Sequence, residues 1–100
     1  MTLPSGVTVP VDHIAEICRK YRVKELSVFG SAARGGMRPG SDLDLLVEFL
    51  PDARIGWEFF DLEEELGRVF ARKVDLGTKR SLKPWVREDA LRDAQVIYAS

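Results

Sequence analysis

Two aspartates carry the most pointed chemical signal in the sequence. Asp42 and Asp44 stand two residues apart in the run DLDLLVEF. In a strand, both side chains leave the same face, with Cα atoms about 6.6 Å apart. Carboxylates that converge repel each other unless cations lie between them. Mg²⁺ suits such a place, because it takes oxygen ligands, keeps several waters and shares the rest with substrate phosphates. Two such ions about 3.5–4 Å apart support in-line phosphoryl or nucleotidyl transfer. On its own, Asp-x-Asp is more simply an edge strand with a polar face.

The pair Gly30-Ser31 changes that balance. It follows an apolar strand-like segment, and ten residues separate it from Asp42. Glycine lets a backbone approach a ligand closely. A serine at a helix start offers a hydroxyl and an unpaired N–H to an anion. Four fixed positions at this spacing are expected by chance in about one chain per thousand of this length. The turn would hold a triphosphate while the next strand holds the metals that its phosphates share. Asp75, between Val74 and Leu76, is a third carboxylate in a strand-like segment. If that strand lies beside the Asp42–Phe49 strand, Asp75 joins the cluster, either as a metal ligand or as acceptor of a hydroxyl proton. Arg34 lies one turn after Gly30-Ser31 and can meet phosphate oxygens with its planar fork. Arg38, Lys79, Arg80 and Lys83 read as solvated surface. The chain has no G-x-x-x-x-G-K-[ST] loop and no G-x-G-x-x-G, which excludes the P-loop and Rossmann readings.

These residues need a sheet to gather them. Val11, Ile14, Ile17, Cys18 and Tyr21 recur at helical spacing after Pro10, which predicts a first helix. A strand is expected over Glu25–Phe29, a brief helical turn over Ser31–Arg34 and a glycine-rich loop over residues 35–41. A second strand covers Asp42–Phe49, and Pro51-Asp52 ends it. Phe59, Leu62, Leu66, Val69 and Phe70 predict a helix over residues 56–70. Lys73–Gly77 reads as a strand, Ser81–Ala94 as a last helix and Val96–Ala99 as a terminal strand. The expected architecture is α/β, one small mixed sheet with helices packed against it. Residues 1–9 read as a loose lead-in and residues 10–100 as the domain. Cys18 falls on the apolar stripe and reads as a packed thiol. His13 is expected to be exposed. The run Asp61, Glu63, Glu64, Glu65 reads as a solvated helix face. Trp57 and Trp85 fit either an interface or core packing.

Composition narrows the function classes. The chain has 100 residues, 45% hydrophobic and 31% charged, the profile of one small globular domain. Lys plus Arg number 15 against 16 Asp plus Glu, for a net charge of −1. A dedicated nucleic-acid binder carries a basic excess that is missing here. One cysteine cannot form an internal disulfide, so a reducing cytoplasm is the expected location. Neither a signal peptide nor a membrane span is expected.

The segments FGSAARG-GMRPG-SDLDLLVEF and VDL together resemble the nucleotidyltransferase superfamily typified by DNA polymerase beta. The likeness is to its minimal nucleotidyltransferase (MNT) branch and covers nearly the whole chain. It places that family's Gly-Ser on Gly30 and Ser31, its metal-binding aspartates on Asp42 and Asp44, its third carboxylate on Asp75 and its arginine on Arg34. One departure is Ala32, where many members carry a large, often basic residue. The resemblance implies ATP as substrate, Mg²⁺ (two ions) as cofactor, and release of pyrophosphate. It also implies a helical HEPN partner protein, a ribonuclease toxin that the MNT antitoxin neutralises, in some pairs by adding AMP to a tyrosine. Masking of the partner by contact alone is a second reading. Transfer to RNA or to a small molecule is a third, and the near-neutral charge disfavours RNA. With the nucleotide half of the site carried by a short chain, the acceptor half is expected to come from a partner.

Overall fold

The computed structural model describes residues 2–3, 6–30, 33, 42–78, 88, 92 and 94–100. Helix α1 spans Val11–Lys20, followed by strands β1 (Val23–Val28) and β2 (Leu43–Phe49). Helix α2 (Glu58–Phe70) leads to β3 (Val74–Thr78), and β4 (Gln95–Ala99) closes the chain. The strands form one sheet in the order β3-β2-β1-β4. β1 runs antiparallel to both β2 and β4, while β2 and β3 are parallel. The expected small mixed sheet is therefore present. The parallel pair exists because α2 lies between its two strands and carries the chain back to the starting edge.

Alternation divides the sheet into two chemical faces. Leu43, Leu45 and Val47 of β2 are buried together with Leu26 and Val28 of β1 and Val74 and Leu76 of β3. They form one core with Ile14, Ile17 and Cys18 of α1 and Leu62 and Leu66 of α2. The residues between them in β2 and β3, among them Asp44 and Asp75, are turned to the opposite face. That face is not wholly polar, because Leu46 and its β1 neighbour Ser27 are also buried.

The helices are also tied to each other. Tyr21 donates its hydroxyl proton to Glu65 of α2, and Lys20 Nζ lies 3.1 Å from the same carboxylate. Burial, then the Glu65 contact, pushes the Tyr21 hydroxyl up to about 12. Burial alone dominates at Cys18, whose thiol is pushed up to about 12. The packed, unreactive cysteine expected from its stripe position is what the fold contains.

Observed boundaries differ from expectation by one or two residues, as fraying ends do. β1 begins at Val23 rather than Glu25, since Val23 is buried and pairs with Phe49. The largest correction concerns the lead-in. Residues 1–9 are not loose where they are described: Leu3 and Val9 are buried in the core. Thr2 and Thr8 form an antiparallel bridge around a turn in which Gly6 has φ +88°. Leu3 N–H donates to the Val7 carbonyl at 2.9 Å. The sequence hides this, because Leu3 and Val9 stand six residues apart and make neither a helical nor a strand repeat. The helix expected over Ser81–Ala94 lies mostly outside the described residues; Glu88 and Arg92 are helical. Leu3→Ala is expected to lower stability by about 2–4 kcal/mol, read by urea denaturation. A loss within experimental error would mean that the segment does not contribute to the core.

Candidate active site

The parallel ladder between β2 and β3 sets the site. Its register places Asp44 directly beside Asp75, with Leu43 beside Val74 and Leu45 beside Leu76. Paired residues in a ladder share a face, so the two aspartates lie together opposite the apolar core. Asp42 precedes β2 and is exposed. Its Oδ2 lies 3.9 Å from Lys73 Nζ, and the Leu43 N–H donates to the Lys73 carbonyl at 2.9 Å. The three carboxylates are close enough to feel one another. Partial burial holds the Asp44 carboxyl above the usual aspartate range, and the charges of Asp75 and then Asp42 push it further.

Gly30 closes over Asp44. It adopts φ +69°, and a Cβ built on it would stand 2.8 Å from Asp44 Oδ2. Any side chain there would meet the carboxylate and strain the backbone. The Phe29 N–H donates to the Asp44 carbonyl at 3.1 Å, which locks the end of β1 to the start of β2. The Ala33 N–H then donates to the Gly30 carbonyl at 3.1 Å, and Ala33 is helical, in keeping with the short turn expected there. Ser31 and Arg34 lie outside the described residues, as do Arg38, Lys79, Arg80, Lys83 and Trp85. Of the six residues singled out from sequence, the structure brings together Gly30, Asp42, Asp44 and Asp75.

Among the described residues no group of three acidic, histidine or cysteine side chains is drawn tightly enough to hold a metal ion outright. The donor set nevertheless fits a hard divalent cation. It is all carboxylate oxygen, mutually repelling, and bordered by a glycine that leaves room above Asp44.

The surroundings contain features that the sequence pattern hid. The acidic helix face is solvated at Asp61 and Glu64 only. Glu63 and Glu65 are half-buried, Glu65 against Tyr21 and Glu63 against β3. The Leu76 N–H donates to Glu63 Oε2 at 3.0 Å. A long acidic run on one helix gives no sign of which members turn inward. Trp57 is 83% exposed and Phe60 58%, with ring centroids 6.0 Å apart, which excludes core packing for Trp57. A shallow groove of about 480 Å³ runs from Phe60 between α2 and β3 to Lys73, beside Asp42. His13 is exposed, as expected. No described helix is long and apolar enough to cross a membrane.

A mixed sheet that sets a Gly turn against an Asp-x-Asp strand and a third aspartate defines a nucleotidyl-transferring class of enzyme. Comparison with known proteins agrees. The family model for the nucleotidyltransferase domain matches residues 11–97. The protein adenylyltransferase MntA of Thermococcus cleftensis is 35% identical over 100 residues, covering 98% of this chain and 96% of the relative. Among solved structures, a toxin–antitoxin complex with AMP-PNP shares the fold at a TM-score of 0.72. It is 19% identical, and the match covers 92% of this chain and 75% of that one. A complex of a tri-AMPylated Shewanella oneidensis HEPN toxin with its MNT antitoxin shares it at 0.63 and 17% identity, covering 90% and 70%. The chain belongs to the nucleotidyltransferase domain family, in its minimal nucleotidyltransferase branch, and is a nucleotidyltransferase.

Two consequences are testable on the isolated protein. Gly30→Ala is expected to cost at least ~1–2 kcal/mol through its left-handed backbone, measured by urea denaturation; an unchanged midpoint would contradict the close approach to Asp44. Asp44 binds its proton more tightly folded than unfolded, so its contribution to stability is present below the ordinary value of 3.8 and lost as pH rises through the raised value. Without divalent ions, Asp44→Asn should therefore melt higher than the wild type at pH 7. The difference should shrink as pH falls toward the ordinary aspartate range. A lower melting temperature for Asp44→Asn at pH 7 would show that repulsion at this site is not what limits stability.

Proposed function

We propose that this chain is a Mg²⁺-dependent enzyme that transfers AMP from ATP to a hydroxyl of a partner protein. In this reading it is an antitoxin that modifies and neutralises a HEPN ribonuclease toxin in the cytoplasm. The observation that carries the reading is the register of Asp44 beside Asp75, with Asp42 two residues away and Gly30 folded against Asp44. The names of the full-length relative and of the complexed neighbours support the choice of AMP and of a protein acceptor.

Asp42 and Asp44 would hold the metal ions, with Asp75 completing the set. A Mg²⁺ ion held there would supply charge neutralisation for the phosphate oxygens during in-line displacement. The chain's own residues do the rest. Gly30 leaves room for the phosphates, and Ser31 and Arg34 steady them through backbone N–H, hydroxyl and guanidinium. Asp75, more exposed than Asp44, faces the incoming acceptor and takes its hydroxyl proton. The acceptor oxygen forms a bond to the α-phosphorus, the bond from that phosphorus to the bridging oxygen breaks, and pyrophosphate leaves.

Asp42→Asn or Asp44→Asn should lower transfer by about 100-fold or more without unfolding the chain. Incubation with ATP, Mg²⁺ and the product of a neighbouring HEPN gene, followed by intact-mass spectrometry, reads the added AMP. Full transfer by either variant would overturn the assignment. Neutralisation by contact is a second reading, favoured by the exposed Trp57–Phe60 pair at the mouth of the groove leading to Lys73. Cells carrying the toxin separate the two: full protection by Asp42→Asn would establish masking, and loss of protection would establish catalysis.

A further inference from the structure

Among the described residues β3 is an edge strand, paired only with β2, yet it carries Asp75 against the like charge of Asp44. Repulsion between the two acts to part these strands, so the edge needs a second restraint. The ladder geometry shows where it can attach. The Leu43 N–H donates to the Lys73 carbonyl, so residues 73, 75 and 77 turn their backbone groups toward β2. The Leu76 N–H must then point outward, to the open side of the sheet. There it meets α2: Glu63 Oε2 accepts it at 3.0 Å. Glu63 is half-buried between α2 and β3, unlike its neighbour Glu64, which is exposed and pairs with Arg68 at 2.7 Å on its own helix.

We infer that Glu63 is a positioning residue. By gripping the peptide that follows Asp75 it holds β3 in register, so that Asp75 stays beside Asp44 for the divalent cation. This rests on the reading of the three aspartates as a metal site. Glu63 acts through the β3 backbone, from the groove between α2 and β3 rather than from the face that carries the aspartates. Its negative charge is not the point; its acceptor oxygen is.

The experiment uses the full chain with Mn²⁺ and a non-hydrolysable ATP analogue. Mn²⁺ affinity is followed by electron paramagnetic resonance and Leu76 amide exchange by NMR. Glu63→Ala should weaken Mn²⁺ binding about tenfold and speed Leu76 exchange while the chain remains folded. Glu63→Gln keeps an acceptor oxygen and loses the charge, and should bind within about twofold of wild type. Glu64→Ala removes the same charge from the same helix without touching β3, and should also stay within about twofold. Unchanged Mn²⁺ affinity in Glu63→Ala would overturn the positioning role. An equal loss in Glu63→Gln or Glu64→Ala would also overturn it, because charge rather than the bond would then be responsible. A different result marks failure of the underlying reading: a wild type that binds Mn²⁺ no better than Asp44→Asn has no metal site for Glu63 to support.

Discussion

Everything at this site depends on two like charges held side by side. Asp44 and Asp75 occupy facing positions on parallel strands, where unpaired carboxylates oppose each other. The cost is visible in Asp44, whose carboxyl is held above its ordinary range by partial burial and by both neighbouring aspartates. A fold that kept such a pair for stability alone would have replaced one of them. Retaining it fits a site that is completed by a cation and made more stable when one binds.

The remainder of the domain supplies the force that holds the pair together. On the reverse of the same two strands, Leu43, Leu45, Val74 and Leu76 are buried against both helices. Strand alternation therefore couples the two faces: Asp44 and Asp75 each lie between two residues that anchor in the core. α2 both brings the chain back so that β3 can run parallel to β2 and reaches across to the open edge of β3 through Glu63. Gly30 acts from the other side, where the end of β1 is fixed to β2 and the chain turns tightly over Asp44.

Much of this was legible in the sequence, for physical reasons. Asp-Leu-Asp-Leu alternation identifies a two-faced strand, and Val-Asp-Leu repeats it, so the face shared by the three aspartates follows once the strands are neighbours. That adjacency was conditional in the sequence and is settled by the β2–β3 register. Apolar spacing located α1 and α2 and placed Cys18 in the core. What was hidden shares one property, contact between residues distant in the chain. Leu3 and Val9 read as a loose lead-in because two buried side chains six residues apart make no periodic pattern. Glu63 and Glu65 read as solvated because their acidic run looks uniform until a backbone N–H and a tyrosine are brought to them. Lys73 read only as the start of a strand, since the fold alone sets its ammonium beside Asp42. Trp57 was compatible with core or surface, and only the packed structure shows it exposed.

The central claim is that the carboxylates gathered by β2 and β3, under the Gly30 turn, are where a divalent cation and nucleotide bind. Paramagnetic broadening of backbone amide signals by substoichiometric Mn²⁺, in the presence of a non-hydrolysable ATP analogue, tests it most directly. The expected result is broadening centred on Gly30, Asp44 and Asp75, absent from signals on the far side of α1 and removed by excess Mg²⁺. Broadening centred instead on the acidic face of α2 at Asp61 and Glu64, or spread evenly over the surface, would contradict it.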